Sequence, residues 1–344
     1  MEIQQTITQE DINNFILSRP HVFILGAGAS KAAIPNGDRN GMDSPLMDGF
    51  IEKAGLNHIV SYIPLKTKSN NLEDIYSELY ASGKYKQELK ELEKGICGYF
   101  RKLLIPYAPT IYDYLLLSLR SKDFIFSFNW DDLIVQAYLR VSTITKNLPK
   151  LYFLHGNVAM GYCDCCPNLY HIADKFCPKC HRKLKQQSIL YPITNKNYEK
   201  DKSISNAWDD FLIVLQSCSI LTIFGYGAPP SDSAAIEKMS QAFSKEFRKL
   251  DKIEIIDLKD EQELIDNWAP FLEPANYHVK CYKDFFDSII SEFPRRTVEG
   301  YCKRNNNWFG PSTIRLKPNL TFEELEELIM PMLQEEAKGN FDTL

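Results

Sequence analysis

The feature that most constrains this fold is a series of short apolar runs, each ending in polar or turn residues. Runs of this length bounded by such residues indicate buried strands. Three of them are followed by segments with helical spacing, at residues 131–141, 231–249 and 260–268. Strands that alternate with helices predict an α/β fold built on a doubly wound parallel sheet. The predicted strands are the run ending at Leu25 and residues 124–128, 151–154, 220–224, 253–256 and, more weakly, 277–281.

Two stretches interrupt this alternation. Residues 43–120 have the apolar spacing of amphipathic helices and lack strand signals. Residues 157–187 hold turn residues and little hydrophobic periodicity, which indicates a small ribbon module. We therefore predict a Rossmann-like domain made of residues 1–42, 121–156 and 188–294. A helical insertion of residues 43–120 and a ribbon of residues 157–187 interrupt it, and a C-terminal extension of residues 295–344 follows it.

The C-terminal extension is polar from Arg295 until Thr321, which can cap an acidic helix running to about Ala337. We expect the apolar face of this helix to pack on its own domain, and a surface for a partner protein is the alternative. The face consists of Phe322, Leu325, Leu328 and Ile329.

The composition is that of an ordinary globular protein and excludes several functional classes. The chain has 344 residues, 44% hydrophobic and 25% charged, which excludes disorder and fibrous folds. Forty lysines and arginines against forty-five aspartates and glutamates give a net charge of −5, which predicts no nucleic-acid binding. The first residues lack a signal-peptide pattern, and no apolar run approaches the length of a membrane span. We therefore expect a cytoplasmic protein without membrane contact.

Five of the nine cysteines fall within residues 163–180. Without a secretion signal, such a cluster favours metal binding over disulfides. Its two Cys-x₂-Cys hooks suit the tetrahedral thiolate shell of a structural Zn²⁺ site. One alternative is a set of buried free thiols. A second is another ligand set, in which Cys165 replaces Cys166 or His181 takes part. The predicted ligands are Cys163, Cys166, Cys177 and Cys180.

The turn after the first strand has features of a nucleotide-binding loop. Gly26 and Gly28 stand between a strand and a helix, where backbone amides and the helix N-terminus can approach a pyrophosphate. Lys31 replaces the third glycine of the usual fingerprint, so a tight turn without a ligand is the alternative.

Polar residues also follow the next strands. Asn129 and Asp131 come directly after one strand, and His155 comes after another. Parallel strands bring such residues to one carboxyl edge, which is where doubly wound folds bind ligands. A turn or capping role is the alternative for each residue taken singly.

Two further strand ends add to this edge. Gly225 and Gly227 allow a second close backbone approach, and Ser231 or Asp232 would cap the next helix. Asp257 ends the fifth strand, where a carboxylate can accept hydrogen bonds from ribose hydroxyls. A helix N-cap is the alternative for Asp257.

In this order, the motifs resemble those of the sirtuin family over roughly residues 21–292. Residues 26–30, Gly-Ala-Gly-Ala-Ser, are similar to the family's first NAD loop, and residues 34–39 are a loose echo of its Ile-Pro-Asp-Phe-Arg segment. Asn129 and Asp131 match positions that hold the nicotinamide ribose, and His155 matches the catalytic histidine. The resemblance implies NAD as substrate, zinc as a structural ion, and an NAD site made of Gly26, Ala27, Gly28, Ser30, Asp38, Arg39, Asn129, Gly225, Tyr226, Gly227, Ser231 and Asp257.

Two departures separate the chain from protein deacylases. The family's Phe-Gly-Glu-x-Leu-Pro stretch, which pairs with an acylated peptide, is absent from residues 189–198. The insertion after Asp43 is also larger than in typical deacylases. Both features resemble divergent bacterial sirtuin-like proteins that hydrolyse NAD in antiphage defence. As partners, the resemblance implies NAD⁺ and either a homo-oligomer or a defence-system partner protein.

The implied activity is an NAD⁺ glycohydrolase that releases nicotinamide and ADP-ribose. In NAD⁺ the nicotinamide is a cationic leaving group that departs as a neutral base, so the reaction needs a stabilised ribose cation and a placed nucleophile. Asn129 would position the ribose or the attacking water, Asp131 would orient the site and offset positive charge, and His155 would act as general base. The alternatives are an NAD-dependent protein deacylase that uses the same residues and a non-catalytic sensor of NAD or ADP-ribose.

Overall fold

The computed structural model describes residues 2–4, 18–166, 168–193, 196, 198–199, 201–243, 250, 252–272, 279–305 and 314–341. The strands within them are β1 (Glu2–Gln4), β2 (His21–Leu25), β3 (Phe124–Ser127), β4 (Lys150–Phe153), β5 (Met160–Tyr162), β6 (Leu169–His171), β7 (Lys185–Gln186), β8 (Ile220–Phe224), β9 (Lys252–Ile256) and β10 (Val279–Tyr282). The helices are α1 (Ala27–Ala33), α2 (Phe50–Lys53), α3 (Asn57–Val60), α4 (Leu72–Ser82), α5 (Lys86–Phe100), α6 (Ile111–Leu117), α7 (Leu133–Val141), α8 (Lys202–Ser217), α9 (Ser233–Phe243), α10 (Glu261–Leu272), α11 (Ile289–Glu292), α12 (Thr297–Asn305) and α13 (Phe322–Ala337).

The predicted parallel sheet is confirmed. Six strands pair in the order β10-β9-β8-β2-β3-β4, and every pair is parallel. Ile24 of β2 pairs with Phe126 of β3 on one side and with Ile223 of β8 on the other. The chain moves outward from β2 to β4 and then returns to the other side of β2 for β8, β9 and β10. The strand order therefore reverses between β2 and β8, at the kind of position where open α/β sheets bind ligands.

Alternate residues of the sheet enter two separate cores, as the two-residue period of a strand requires. Phe23 and Leu25 of β2 pack with the insertion helices and α13 on one face. Val22 and Ile24 pack with α8, α9 and α10 on the other face. All four side chains are fully buried, which explains why this strand is a continuous apolar run.

The insertion and the ribbon differ in architecture. Helices α2 to α6 lie within residues 43–120, together with one isolated bridge between Asp48 and Asn71. The ribbon is an antiparallel sheet in the order β1-β6-β5-β7. Residues 2–4, which the sequence analysis assigned to the Rossmann-like domain, form an edge strand of this ribbon, with Glu2 opposite Tyr170.

Two predicted helices begin later than expected. Helix α7 begins at Leu133 rather than at residue 131, because Asp131 Oδ1 accepts the Leu133 amide at 3.1 Å. Helix α9 begins at Ser233 rather than at residue 231, since Pro230–Asp232 form a 3₁₀ turn. The last predicted residues of that helix, 244–249, lie outside the described residues.

Other element ends also differ. Asp260 caps α10 through the amide of Gln262, and the helix continues past residue 268 to Leu272. Strands β3 and β4 end one residue earlier than predicted. Strand β10 extends one residue further than predicted, to Tyr282, and residues 277–278 of the predicted strand lie outside the described residues.

Helices α8, α11 and α12 were not predicted from the sequence. Buried Ile204, Trp208 and Phe211 recur at helical spacing in α8, so a signal was present. Helix α12 lies in the stretch from Arg295 that was taken as polar, and its Val298 packs in a small apolar cluster with Phe293, which precedes that stretch.

The C-terminal helix is as predicted. Thr321 Oγ1 accepts the Glu324 amide and the Glu324 carboxylate accepts the Thr321 amide, which is a capping box at the start of α13. Leu325 and Ile329 are fully buried in the core on the insertion face of the sheet, so the apolar face packs on its own domain. In the part of the chain that the structure describes, no helix has the length and hydropathy needed to cross a bilayer.

Candidate functional site

Two glycine loops meet where the strand order reverses. The Gly26 amide donates to Phe224 O at 3.0 Å, and the Gly28 amide donates to Gly225 O at 2.9 Å. A Cβ on Gly28 would lie 2.7 Å from Gly225 Cα, and Gly225 has a φ of +63°. The glycines therefore allow direct contact between the loops after β2 and β8, and they bind each other through the amides of Gly26 and Gly28.

A buried polar network joins the ends of β2 and β3. Ser30 Oγ donates to Asp131 Oδ2 at 2.7 Å and lies 2.8 Å from the Tyr112 hydroxyl. Asn129 Nδ2 donates to Gly26 O at 2.8 Å and to Ser30 Oγ at 2.9 Å. The structure thus brings the predicted residues Ser30, Asn129 and Asp131 together, and Tyr112 of the insertion completes the network.

This network leaves one group open for a ligand. Both hydrogens of the Asn129 amide nitrogen are used, whereas no donor among the described residues reaches its amide oxygen. Burial raises the pKa of Asp131, although the hydrogen bonds from Ser30 and from the Leu133 amide oppose this rise. Burial and the nearby Asp131 carboxylate raise the pKa of Tyr112, so that hydroxyl stays protonated.

His155 lies just beyond β4 and is 4% exposed. Its ring packs edge-on against Phe128, with centroids 4.7 Å apart, and Phe128 precedes Asn129 in the chain. No hydrogen-bond partner for His155 Nε2 exists among the described residues. Burial lowers the pKa of His155 to about 4, against an opposing effect of Asp232. The imidazole is therefore neutral at physiological pH.

Asp232 Oδ1 lies 3.7 Å from His155 Nε2, which is beyond hydrogen-bond length but within strong electrostatic range. The Asp232 carboxylate also accepts a hydrogen bond from Lys196 Nζ and one of 2.7 Å from the Tyr226 hydroxyl. Burial alone would raise the pKa of Asp232, but His155, Lys196 and Tyr226 together hold it below its usual value. The expectation that Asp232 caps a helix is therefore wrong, because its carboxylate is part of this cluster.

Asp38 and Arg39, predicted to bind the cofactor, stabilise their own loop. The Asp38 carboxylate accepts two amides of that loop and the Leu104 amide, at 2.7 to 2.8 Å. The Arg39 guanidinium donates to Ile105 O and lies 3.9 Å from the centre of the Tyr107 ring. The structure does not bring these two side chains to Asn129 or His155 among the contacts of the described residues.

The residues predicted to hold the adenosine half lie along the ends of β8 and β9. Asp257 is half-buried and accepts the Lys259 amide at 3.0 Å. Its alternative role as helix N-cap is wrong, since Asp260 has that place. Gly227 O accepts a hydrogen bond from Asn267, and Ser231 O accepts one from Lys196 Nζ.

The segment after the ribbon packs against the insertion. The Tyr191 ring stacks on Tyr76 of α4, with centroids 5.2 Å apart, and lies 5.6 Å from the Trp130 ring. Ser77 Oγ donates to Pro192 O at 2.9 Å. The insertion helices therefore contact the segment that follows the ribbon.

The four predicted zinc ligands converge. The Sγ atoms of Cys163, Cys166, Cys177 and Cys180 all lie within 4.8 Å of one another. A tetrahedral shell with Zn–S bonds of about 2.3 Å needs sulfur atoms roughly 3.8 Å apart, so the cluster fits Zn²⁺. Cys165 is exposed, and its Sγ lies 2.7 Å from Arg182 Nη1. The structure therefore selects Cys166 over Cys165 and does not include His181 in the cluster.

Sequence reasoning missed three residues of the candidate site. Tyr112 gave no signal, because it lies in a helix whose pattern indicates only burial. Lys196 lies in a loop without a motif. Asp232 did give a signal, since it follows a strand end at the ligand-binding edge, but capping was the simpler interpretation.

The comparisons with known proteins concern structure alone. No protein-family model matches the sequence, and no curated protein matches it. Among solved structures, the chain is similar to one described as "Sir2-p53 peptide-NAD+", with 17% identity and a TM-score of 0.37, over 86% of this chain and 98% of that chain.

Two further solved structures are similar over 88% of this chain and all of theirs. One concerns sirtuin substrate affinity, with 14% identity and a TM-score of 0.34. The other is Sir2 with the inhibitor EX-527, 2′-O-acetyl-ADP-ribose and a deacetylated p53 peptide, with 15% identity and a TM-score of 0.36. These identities and TM-scores are low. The strands and helices of this chain themselves define its fold class, which is a Rossmann-like parallel sheet with a four-cysteine module.

Proposed function

We propose that this protein hydrolyses the nicotinamide–ribose bond of NAD⁺ and releases nicotinamide and ADP-ribose. The observation that carries the proposal is His155, a neutral and buried imidazole at the carboxyl edge of the sheet whose Nε2 has no partner among the described residues. Leaving a buried polar atom unpaired costs about 1–3 kcal/mol. Unpaired buried groups of this kind are typical of functional sites, and a neutral imidazole offers one ring nitrogen as a proton acceptor.

The neighbouring residues supply the other functions that this reaction needs. Nicotinamide leaves as a neutral base, so the barrier is set by the developing ribose cation and the placement of water. The free amide oxygen of Asn129 is suited to hold a ribose hydroxyl or the attacking water. Asp131 fixes Asn129 indirectly through Ser30 and adds negative charge near the forming cation.

His155 would act as the general base in this mechanism. A neutral imidazole can accept a proton from a ribose hydroxyl or from water. Burial keeps the His155 imidazole neutral well below physiological pH and also lowers its basicity. Binding of the dinucleotide along the loops after β2, β8 and β9 would place the nicotinamide ribose between Asn129 and His155.

The packing of the segment after the ribbon favours hydrolysis over deacylation. A deacylase pairs this segment with an acylated peptide, whereas here Tyr191 and Pro192 contact α4. An acyl-lysine strand would have to displace these contacts. The Zn²⁺ that fits the four cysteines would have a structural role, because four thiolates leave no open coordination position.

We further propose a role in bacterial antiphage defence, in which this protein acts as a homo-oligomer or together with a defence-system partner protein. The larger insertion and the absent peptide-pairing motif support it. Phage challenge of cells that express the wild-type chain or His155→Gln tests it, since protection should require His155.

The activity itself is tested with the purified full chain and NAD⁺, with and without an acetylated peptide, by chromatography of nicotinamide and ADP-ribose. We expect release without peptide, and we expect Asn129→Ala and His155→Gln to abolish it. His58→Gln is the matched control, because His58 is exposed and lies in α3, outside the candidate site. Release only with peptide would establish a deacylase, and binding without release would indicate a sensor.

A further inference from the structure

One carboxylate in the candidate site is shared by two opposing groups. Asp232 Oδ1 contacts Lys196 Nζ and lies 3.7 Å from His155 Nε2. The side chains of Lys196, Asp232 and His155 are 3%, 6% and 6% exposed. Water screens charges little at such burial, so each of the two ions acts strongly on the imidazole.

The two ions have opposite effects on His155. The Asp232 carboxylate favours a proton on Nε2, which leaves the lone pair on Nδ1. The Lys196 ammonium repels a proton on the ring and reduces the effective charge of Asp232. Because Lys196 and His155 share one carboxylate, movement of Lys196 would change the proton affinity of the imidazole.

Two tyrosines near the imidazole stay protonated at physiological pH, and one glutamate lies on the insertion side. Burial raises the pKa of Tyr198, whose ring stacks near His155, and that of Tyr226, which donates to Asp232. Glu73 of α4 interacts with Asp232 and Lys196 from the insertion side, and burial raises its pKa. Among the described residues, Asp232 and Lys196 are the charged groups that act on the His155 imidazole.

We propose that Asp232 is a positioning residue that holds the Nε2 proton of His155, and that Lys196 opposes it, so the pair sets the basicity of the imidazole. That this basicity is used in NAD⁺ hydrolysis rests on the proposed function. The arrangement itself is a property of the protein without substrate.

The test is nitrogen-15 NMR of histidine-labelled full chain, with the His155 signals assigned by their loss in His155→Gln. In the wild type we expect the Nε2–H tautomer. Asp232→Asn should shift the population toward Nδ1–H and lower the titration midpoint, whereas Lys196→Met should raise the midpoint by about one unit. Lys338→Met, which breaks an exposed ion pair, is the control and should change neither signal.

Each single variant leaves a buried charged group without its partner in this pair and could misfold for that reason. The double variant is the control for this effect. Lys196→Met with Asp232→Asn removes both charges and should fold, with a tautomer population like that of Asp232→Asn alone. A merely structural pair would give the same sign of shift in both single variants, or no shift, and this result would overturn the inference.

The kinetics separate this inference from the proposed function. For a wild type that hydrolyses NAD⁺, Asp232→Asn should lower kcat about 10- to 100-fold with little change in KM. If the His155 signals of Asp232→Asn are unchanged while the wild type hydrolyses NAD⁺, only the proposed role of Asp232 is rejected. An inactive wild type with the expected NMR shifts would reject NAD⁺ hydrolysis and leave the Asp232–His155 relationship in place.

Discussion

Ser30 Oγ donates a 2.7 Å hydrogen bond to Asp131 Oδ2, and this bond joins the helix after β2 to the loop after β3. Both side chains are buried, at 1% and 3% exposure. The bond stabilises the buried Asp131 carboxylate. It also fixes the Ser30 hydroxyl, which orients Asn129.

We expect Ser30→Ala to lower the free energy of unfolding by about 1–3 kcal/mol, because it leaves Asp131 Oδ2 buried without its donor. Urea unfolding followed by circular dichroism measures this change. Thr143→Ala, at an exposed helix end, should change it by less than about 0.5 kcal/mol. Equal effects of the two variants would show that the Ser30 bond contributes nothing.

The contact between the two glycine loops gives a second prediction. Gly225→Ala should be destabilising, because a Cβ there would lie 2.2 Å from the Ala29 amide nitrogen and φ is +63°. Gly41→Ala is the matched control, since its φ is +79° but nothing lies within 4 Å of the added carbon. The strain alone costs about 1–3 kcal/mol, so Gly225→Ala should lose more than Gly41→Ala. Equal losses in thermal unfolding would contradict direct loop contact.

The ion pairs that hold α13 to the domain give a third prediction. The Glu336 carboxylate contacts Arg295 and Arg296, whose side chains are 0% and 1% exposed. Glu336→Ala should cost about 3–5 kcal/mol, because it removes the carboxylate that pairs with two buried guanidinium groups. Glu335→Ala removes an exposed pair with Lys338 and should cost about 0–1 kcal/mol.

The same contact predicts a dependence on pH. Burial alone would raise the pKa of Glu336, but Arg295 and Arg296 lower it below its usual value. The stabilisation is therefore complete above the usual glutamate pKa and is lost as the pH falls through the lowered value. Wild-type stability should fall more steeply on acidification than that of Glu336→Gln, and parallel curves would contradict the pairing.

Metal content tests the four-cysteine cluster. Cys177→Ser should lose bound zinc in elemental analysis of the purified protein, because it removes one of four thiolates. Cys165→Ser should retain it, since that thiol is exposed and outside the cluster. Zinc loss in Cys165→Ser with retention in Cys166→Ser would reverse the ligand assignment.

The acid side of the activity profile tests the burial of His155. As the proposed general base, His155 must be unprotonated, so kcat/KM for NAD⁺ should stay constant from neutral pH downward and fall only near the lowered pKa of about 4. A fall centred near the ordinary histidine value would show that the imidazole is solvated in the working enzyme.

The sequence predicts the sheet and the strand ends well, and the physical reason is local. Strands buried on both faces are apolar runs, and residues directly after them must lie at one edge. This reasoning predicted that Asn129, Asp131 and Gly225 lie at that edge, and it predicted the Thr321 cap from a pattern of four residues.

The remaining site residues depend on contacts between distant segments. Tyr112 reaches Ser30 across 82 positions and Lys196 reaches Asp232 across 36, and no local pattern encodes either contact. The start of α9 was misplaced for a related reason, because the Asp232 side chain contacts Lys196 and Tyr226 rather than capping a helix.

The most direct test of the central claim is hydrolysis of NAD⁺ by the purified chain in oxygen-18-labelled water, with mass spectrometry of the products. We predict unlabelled nicotinamide and ADP-ribose that carries one oxygen-18 atom, and neither product with His155→Gln. NAD⁺ that is bound but left intact, or ADP-ribose formed equally by His155→Gln, would contradict the account.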